Sequence, residues 1–317
     1  MSLLQPNINI TAGVKYQTLH EAILLGVLSM GSSCSFLYIN CVLLFTLRSK
    51  PVFCETSRYV LLYNLFFADT VQMAFNILLY ILASLRIKMT YYACGTVVLL
   101  LVFTATVSPL TLAVMSVERY VAVCYPLRHA TIFNMRRTGT AIVLVWTISF
   151  IHILIRVFML LYLFTQIDLN LNMNDFCSKE AFFFAPIFKY FEEAYVSIVF
   201  LSTGVAIISS YFGVALVARS ASTDKCSARK ALQTLMLHFI HLSLILTSSL
   251  FSTIITAAAR TVLKLDLVRI YTVCFVCLII LPRCLGALIY GFRDQTIRPV
   301  LVLNLFCQRR HSVFKSK

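Results

Sequence analysis

The chain has 317 residues, of which 60% are hydrophobic and only 12% are charged, and its formal net charge is +15. A soluble domain has about 25% charged residues, so a share this low excludes an ordinary water-exposed surface and predicts a protein embedded in lipid. Glycine and proline are scarce, at nine and seven residues, which also excludes a collagen-like or low-complexity chain.

Seven long apolar stretches follow one another along the chain, and a spanning helix needs about 20 such residues. In chain order the predicted spans are 21–47, 59–85, 91–123, 139–164, 187–218, 231–259 and 268–292. Helices are favoured over strands because an open strand leaves backbone groups unpaired in hydrocarbon. The sequence therefore predicts an all-α membrane protein, a seven-transmembrane helix bundle over 21–292. A short segment (1–20) precedes it, and a juxtamembrane segment with a basic tail (293–317) follows.

The basic residues are unevenly divided between the two ends of the predicted bundle. One side and the tail carry sixteen lysines and arginines and the other side carries eight, so the excess predicts membrane orientation rather than nucleic-acid binding. The tail is expected in the cytoplasm and the N-terminus outside, where Asn9 begins a glycosylation sequon. Residues 1–18 are polar and show no cleavable signal, so the first helix is expected to target the chain.

The third span ends in the segment MSVERYVAVCYPLRH, residues 115–129. Four further motifs accompany it in order and spacing: 61–69 (LLYNLFFAD) with Trp146 in the fourth span, Ser210-Tyr211, 228–234 with His238, and 288–294 (LIYGFRD). Together they resemble fish-type odorant receptors of the rhodopsin-like, G-protein-coupled family. The resemblance covers about residues 20–306.

The resemblance implies a receptor that binds a small extracellular molecule and activates a heterotrimeric G protein of the stimulatory, cyclic-AMP type. It implies a plasma membrane location, in the cilia of olfactory sensory neurons, and no cofactor. The alternative is a non-olfactory rhodopsin-like receptor for a lipid or metabolite. A transporter is disfavoured because internal repeats and broken helices are not visible. An enzyme or metal site is not expected, since paired carboxylates and metal clusters are not visible and Cys274 and Cys277 lie in an apolar helix.

The same resemblance implies specific site residues. The ligand-binding positions are Leu101, Val102, Ala105, Thr106, Tyr195, Val199, Ser249, Thr253, Thr272, Val276 and Ile279. The positions for G-protein coupling are Glu118, Arg119, Tyr120, Tyr211, Lys230 and Tyr290. It also implies a disulfide between Cys94 and Cys177. Cys307 is a plausible lipidation position, although Pro299 is expected to disturb the helix before it.

Several residues narrow the ligand or leave alternatives open. The seventh span has no lysine for a retinal Schiff base, and Leu101 stands where amine receptors have an aspartate. A small amphipathic molecule is therefore expected, although the ligand-binding positions could instead pack against neighbouring helices. Arg156 could bind an anionic ligand or pair with Glu192 or Glu193. Arg119 could pair with Glu118 or reach toward the lipid interface.

Two charged residues fall in the middle of predicted spans, Asp69 in the second and Arg283 in the seventh. Charges at membrane depth usually pair or face water, which predicts an ion pair between them with Asn40 and Ser108 nearby. In the resembled class the aspartate commonly helps to hold sodium, but Gly286 here supplies no side-chain oxygen, so a sodium site is not expected. The alternative is a protonated Asp69 with Arg283 pointing elsewhere.

Overall fold

The computed structural model describes residues 19–85, 87–166, 173, 177–220, 264–294 and 296–305, with scattered positions from 229 to 258. The first five spanning helices are Leu19–Arg48, Ser57–Ser84, Tyr91–Cys124, Met135–Gln166 and Pro186–Ser220. The seventh runs through Lys264–Cys274, the π turn Phe275–Ile280 and Leu281–Arg293. Short helices are Pro51–Glu55, Pro126–Ile132, Lys179–Phe182 and Ile297–Leu305. Most of the predicted sixth span, 231–259, lies outside the described residues.

Six helices within the described part of the chain are long and apolar enough to cross a membrane. Their outward faces carry large apolar side chains, such as Phe158 and Leu201, which are 67% and 72% exposed. In water such a surface would be costly, whereas hydrocarbon accepts it. The predicted class, an all-helical membrane protein, is confirmed, and the six described spans begin and end within a few residues of the predicted bounds.

Polar side chains link the second, third and fourth helices inside the bundle. Asn64 donates a hydrogen bond to Thr111 at 3.0 Å and accepts one from the indole nitrogen of Trp146 at 2.8 Å. Both functions of the buried amide are therefore satisfied, which removes the penalty of placing it in an apolar interior. These two hydrogen bonds fix the rotation of the three helices relative to one another.

The two ends of the bundle are distinguished by different chemical features. A disulfide joins Cys94, at the start of the third helix, to Cys177, and their Cα atoms are 5.6 Å apart. We call this end of the bundle the disulfide end. The third helix reaches the opposite end near Arg119, which we call the Arg119 end; the 25 residues between Cys94 and Arg119 span about 37 Å.

A short helix, Ile297–Leu305, packs against the bundle at the Arg119 end, contrary to the expectation that Pro299 would disturb it. Pro299 occupies the first turn, where the missing N–H would have no partner in the helix. Ile297 and Leu301 are buried, and Leu301 lies over Gly291 of the seventh helix. Cys307, beyond this helix, and Asn9 lie outside the described residues.

Gly286 of the seventh helix leaves room for the imidazole of His241. A Cβ atom added at position 286 would lie 2.8 Å from Cε1 and 2.9 Å from Nε2 of that ring. The ring is only 3% exposed, so it cannot retreat into solvent. We therefore expect Gly286→Ala to lower the thermal unfolding midpoint of the purified protein by several degrees, because overpacking a core costs about 1–3 kcal/mol.

The matched control for this prediction is Gly204→Ala in the fifth helix, where a Cβ atom would meet nothing within 4 Å. That change should leave the midpoint unchanged or raise it slightly, since alanine is the better helix former. In the Gly286→Ala background, His241→Ala should recover part of the loss. Strictly additive losses would show that the two positions do not compete for the same space.

Candidate functional site

A cavity of about 190 Å³ lies among the helices toward the disulfide end. Seven of the predicted ligand-binding residues line it: Leu101, Val102, Ala105, Thr106, Tyr195, Val199 and Ile279. Thr272 and Val276 are not among its described lining residues, and Ser249 and Thr253 lie outside the described part of the chain. The wall is largely aliphatic and aromatic with a few polar groups, the usual make-up of a small-molecule pocket.

The seventh helix presents a different face to the cavity than simple α-helical alignment suggests. Its lining residues are Tyr271, Phe275, Ile279 and Arg283. The π turn Phe275–Ile280 explains the offset, because a wider turn accommodates one extra residue and rotates everything before it. Thr272, before the turn, and Val276, within it, are each one residue away from the residues that line the cavity.

The second helix also contributes to the cavity, although none of the predicted ligand-binding residues lies on it. Gln72, Asn76 and Tyr80 line the wall, one turn to three turns beyond the buried Asp69. These four polar residues recur at spacings of three or four, which places them on one face of a helix. That stripe of polar residues in an otherwise apolar span was the available sequence signal.

Near the disulfide end, two cations share the carboxylate of Glu192. Arg156 donates from Nη2 to Oε2 of Glu192, and Lys179 donates from Nζ to Oε1 at 2.7 Å. Arg156 is 1% exposed, and its guanidinium lies over the rings of Phe183 and Phe191 at 5.0 and 5.4 Å. Of the two alternatives left open for Arg156, pairing with Glu192 is the one observed.

Deeper in the bundle, Asp69 and Arg283 lie side by side. The guanidinium Nε atom of Arg283 is 3.8 Å from Oδ1 of Asp69 and donates to Oε1 of Gln72 at 3.1 Å. Ser108 donates to the same Asp69 oxygen at 2.6 Å. Asn40 is fully buried, but its side chain has no hydrogen-bond partner among the described residues, so it gives this pair no visible support.

At the Arg119 end, Glu118 lies between two basic side chains. Its carboxylate is 3.8 Å from Nε of Arg119 and 3.2 Å from Nε2 of His129. Glu118 is only 4% exposed, so the guanidinium of Arg119 and the hydrogen bond with His129 offset the cost of burying its carboxylate. The geometry holds Arg119 by a contact longer than a direct hydrogen bond, which a competing partner could replace.

The other predicted coupling residues fall into two groups. Tyr120 packs directly against Gly213 of the fifth helix, and Tyr120 and Tyr211 belong to one apolar cluster with Val214. Tyr290 lies apart from them in the main core, with its ring 6.0 Å from that of Phe66. Lys230 lies outside the described residues.

Comparison with known proteins agrees with this architecture. A family model described as 7 transmembrane receptor (rhodopsin family) matches residues 39–290. The chain is 28% identical to odorant receptor 131-2 of Danio rerio over 98% of this chain and 94% of the relative. It is 27% identical to the olfactory receptor-like protein OLF4 of Canis lupus familiaris over 80% and 81% of the two chains. A third relative, olfactory receptor 7A17 of Homo sapiens, is 33% identical over 37% of this chain and 38% of its own.

Proposed function

Because the chain belongs to the rhodopsin family of seven-transmembrane receptors, we propose that it is an odorant receptor that couples to a heterotrimeric G protein. The observation that carries the proposal is the presence of two separate sites in one bundle. A ligand-sized cavity lies toward the disulfide end, and the Glu118–Arg119 pair lies at the other. The full-length similarity to a fish odorant receptor supports odorants as the ligand class. The G protein is of the stimulatory, cyclic-AMP type.

The receptor resides in the plasma membrane of olfactory sensory neuron cilia, with its N-terminus outside. The excess of lysine and arginine on the loops at the Arg119 end and in the tail supports this orientation. The disulfide then faces the oxidising exterior, where such bonds persist. The cavity opens toward odorants, and the Arg119 end meets the G protein inside the cell.

Ligand enters the cavity and shifts the population toward an arrangement in which the Arg119 end is open. Such a shift requires that the ligand bind one arrangement more tightly than the other. In the observed arrangement Glu118 holds Arg119 and is itself shared with His129. Opening separates Arg119 from Glu118 and offers its guanidinium to the G protein, together with Tyr120 and Tyr211. Lys230, which lies outside the described residues, is a further proposed contact.

The seven predicted residues that line the cavity contact the odorant: Leu101, Val102, Ala105, Thr106, Tyr195, Val199 and Ile279. The family resemblance alone supports contacts from Ser249 and Thr253, which lie outside the described residues, and from Thr272 and Val276, which are subject to the offset at the π turn. Their mixture of aliphatic side chains and hydroxyls suits a small molecule with one polar group.

Arg119→Ala is expected to silence the receptor without removing it from the cell surface. The side chain is partly exposed and 3.8 Å from Glu118, which keeps its hydrogen bond with His129 when Arg119 is removed. The loss should therefore disturb the core little, while the G protein loses a charged contact. Cyclic AMP would be measured in cells at equal surface density, with an odorant panel as stimulus. The control is Lys88→Ala, an exposed cation at the disulfide end. A normal response from Arg119→Ala at matched density would refute the assigned role.

A further inference from the structure

The charged groups beside the cavity near the disulfide end do not balance. Arg156 and Lys179 both bind Glu192, so two cations share one carboxylate. The neighbouring Glu193 does not help, because it faces Lys189 at 3.9 Å on an exposed surface. Among the side chains that the structure describes, the cluster of Arg156, Lys179 and Glu192 therefore carries one uncompensated positive charge.

The buried member of the cluster makes this excess charge costly. Arg156 has almost no exposure and is enclosed by two phenylalanine rings, so water cannot screen it. In a medium of low dielectric constant, charges interact far more strongly than in bulk water. Because the two cations share a single carboxylate, the cluster attracts a second anion.

Lys179 is the cation that a ligand can reach. It lines the cavity, its side chain is 34% exposed, and Glu192 takes only one of its three ammonium donors. Its backbone is fixed by its surroundings, since Cys177 is tied to the third helix and Phe182 packs onto Gly95 of that helix. The ammonium group is thus held at the cavity rather than free to leave it.

His152, which also lines the cavity, supplies an unsatisfied hydrogen-bond donor. Arg156 donates from Nε to Nε2 of His152 at 3.2 Å, so Nε2 must be the nitrogen without a proton. The neutral ring then carries its proton on Nδ1, which is buried and has no partner among the described residues. A buried N–H group without an acceptor is costly, and an oxygen reaching it directly or through water would remove that cost.

We propose that the cavity binds a small organic anion, whose carboxylate is received by Lys179 beside Arg156 and His152. The aliphatic and aromatic remainder of the lining holds the apolar part of the molecule. This inference names the ligand class of the cavity described above and rests on the proposed receptor function. Lys179 determines specificity because its positive charge favours an anionic ligand. With the ligand carboxylate bound, the cluster contains two cations and two anions.

The test compares ligands of equal length that differ only in the polar group. Purified receptor in detergent would be titrated with hexanoate, hexanol and hexylamine, and the thermal unfolding midpoint followed as each binds. Hexanoate should raise the midpoint most. Lys179→Met should weaken hexanoate binding at least tenfold, or about 1.4 kcal/mol, while Lys179→Arg should retain most of it. Lys189→Met, which removes the exposed lysine paired with Glu193, is the matched control and should bind hexanoate normally.

Three outcomes would overturn the proposal. The first is stronger stabilisation by hexylamine or hexanol than by hexanoate, and the second is unchanged hexanoate binding by Lys179→Met. The third is the absence of a midpoint shift with hexanoate in the native receptor. Because binding is measured without a G protein, a receptor that binds hexanoate yet raises no cyclic AMP would refute the proposed function and leave the ligand class standing.

Discussion

Replacing either Cys94 or Cys177 with serine should remove the receptor from the cell surface. The bond closes a sequence separation of 83 residues, and loop entropy assigns about 4.5 kcal/mol to a loop of that length. Membrane insertion already restricts the chain, so this figure is an upper bound. Even half of it is a large fraction of a typical folding free energy. Both sulfurs lie in one buried apolar cluster with Phe182 and Phe188, so the loss also disturbs packing around the cavity.

The double mutant distinguishes loss of one shared bond from two independent effects. Cys94→Ser with Cys177→Ser should be no worse than either single change, because each single change already breaks the bond. Cys41→Ser is the control, since Cys41 is an exposed free cysteine of the first helix. Surface staining of intact cells with an N-terminal epitope tag provides the measurement. Losses that add in the double mutant would contradict a single shared bond.

The membrane class and the spans could be predicted from sequence because hydrocarbon imposes a simple rule. A helix must satisfy its own backbone groups and be about 20 apolar residues long, and the printed sequence records both properties. The pairing of Cys94 with Cys177 followed from the family resemblance, and the structure contains it. The predicted and observed helix ends differ by only a few residues. The fourth helix, for example, begins at Met135 and was predicted to begin at 139.

The residues that line the cavity were harder to predict, because they depend on how each helix is rotated about its axis. Alignment assumes regular α-helical periodicity, and the π turn before Leu281 breaks it. Pro282 is the second residue after this turn, and its missing N–H prevents a normal α-helical bond there. The N–H of Leu281 reaches back to the carbonyl of Val276. One extra residue is enough to exchange Thr272 and Val276 for their neighbours on the lining.

The charged cluster at Glu192 illustrates a different limit. Sequence alone left Arg156 with two possible glutamate partners one residue apart, and adjacent residues on a helix point about 100° from each other. Which of them faces inward depends on how the fifth helix is turned. The contact of Lys179 with Glu192 could not be predicted either. Lys179 begins a short loop helix whose position is set by the disulfide.

The ion pair of Asp69 and Arg283 should be the other most sensitive point of the bundle. Both side chains are at most 5% exposed, and no other charged group contacts either of them among the described residues. Removing one partner strands the other charge in the interior, a change that costs about 3–5 kcal/mol. Asp69→Asn and Arg283→Gln should each sharply lower the thermal unfolding midpoint and the amount of receptor at the surface.

The surroundings of the pair determine how far each rescue can go. The neutral double mutant, Asp69→Asn with Arg283→Gln, leaves no stranded charge and should be more stable than either single mutant. The charge swap, Asp69→Arg with Arg283→Asp, should recover less, because Ser108 donates toward position 69 and Gln72 accepts from position 283. A guanidinium at position 69 would require the Ser108 hydroxyl to turn and accept, and a carboxylate at position 283 would require an amide flip at Gln72 so that it donates.

Thermal unfolding of each purified variant and surface staining together test the pairing. Arg298→Gln is the control, since Arg298 is an exposed arginine of the short helix after the bundle and its loss should change neither readout. If the losses of the two single mutants add in the neutral double mutant, the charges are independent and the pairing is wrong. If the guanidinium of Arg283 neutralises Asp69, no sodium ion is needed beside that carboxylate. Replacing sodium by choline in the buffer should then leave ligand affinity unchanged.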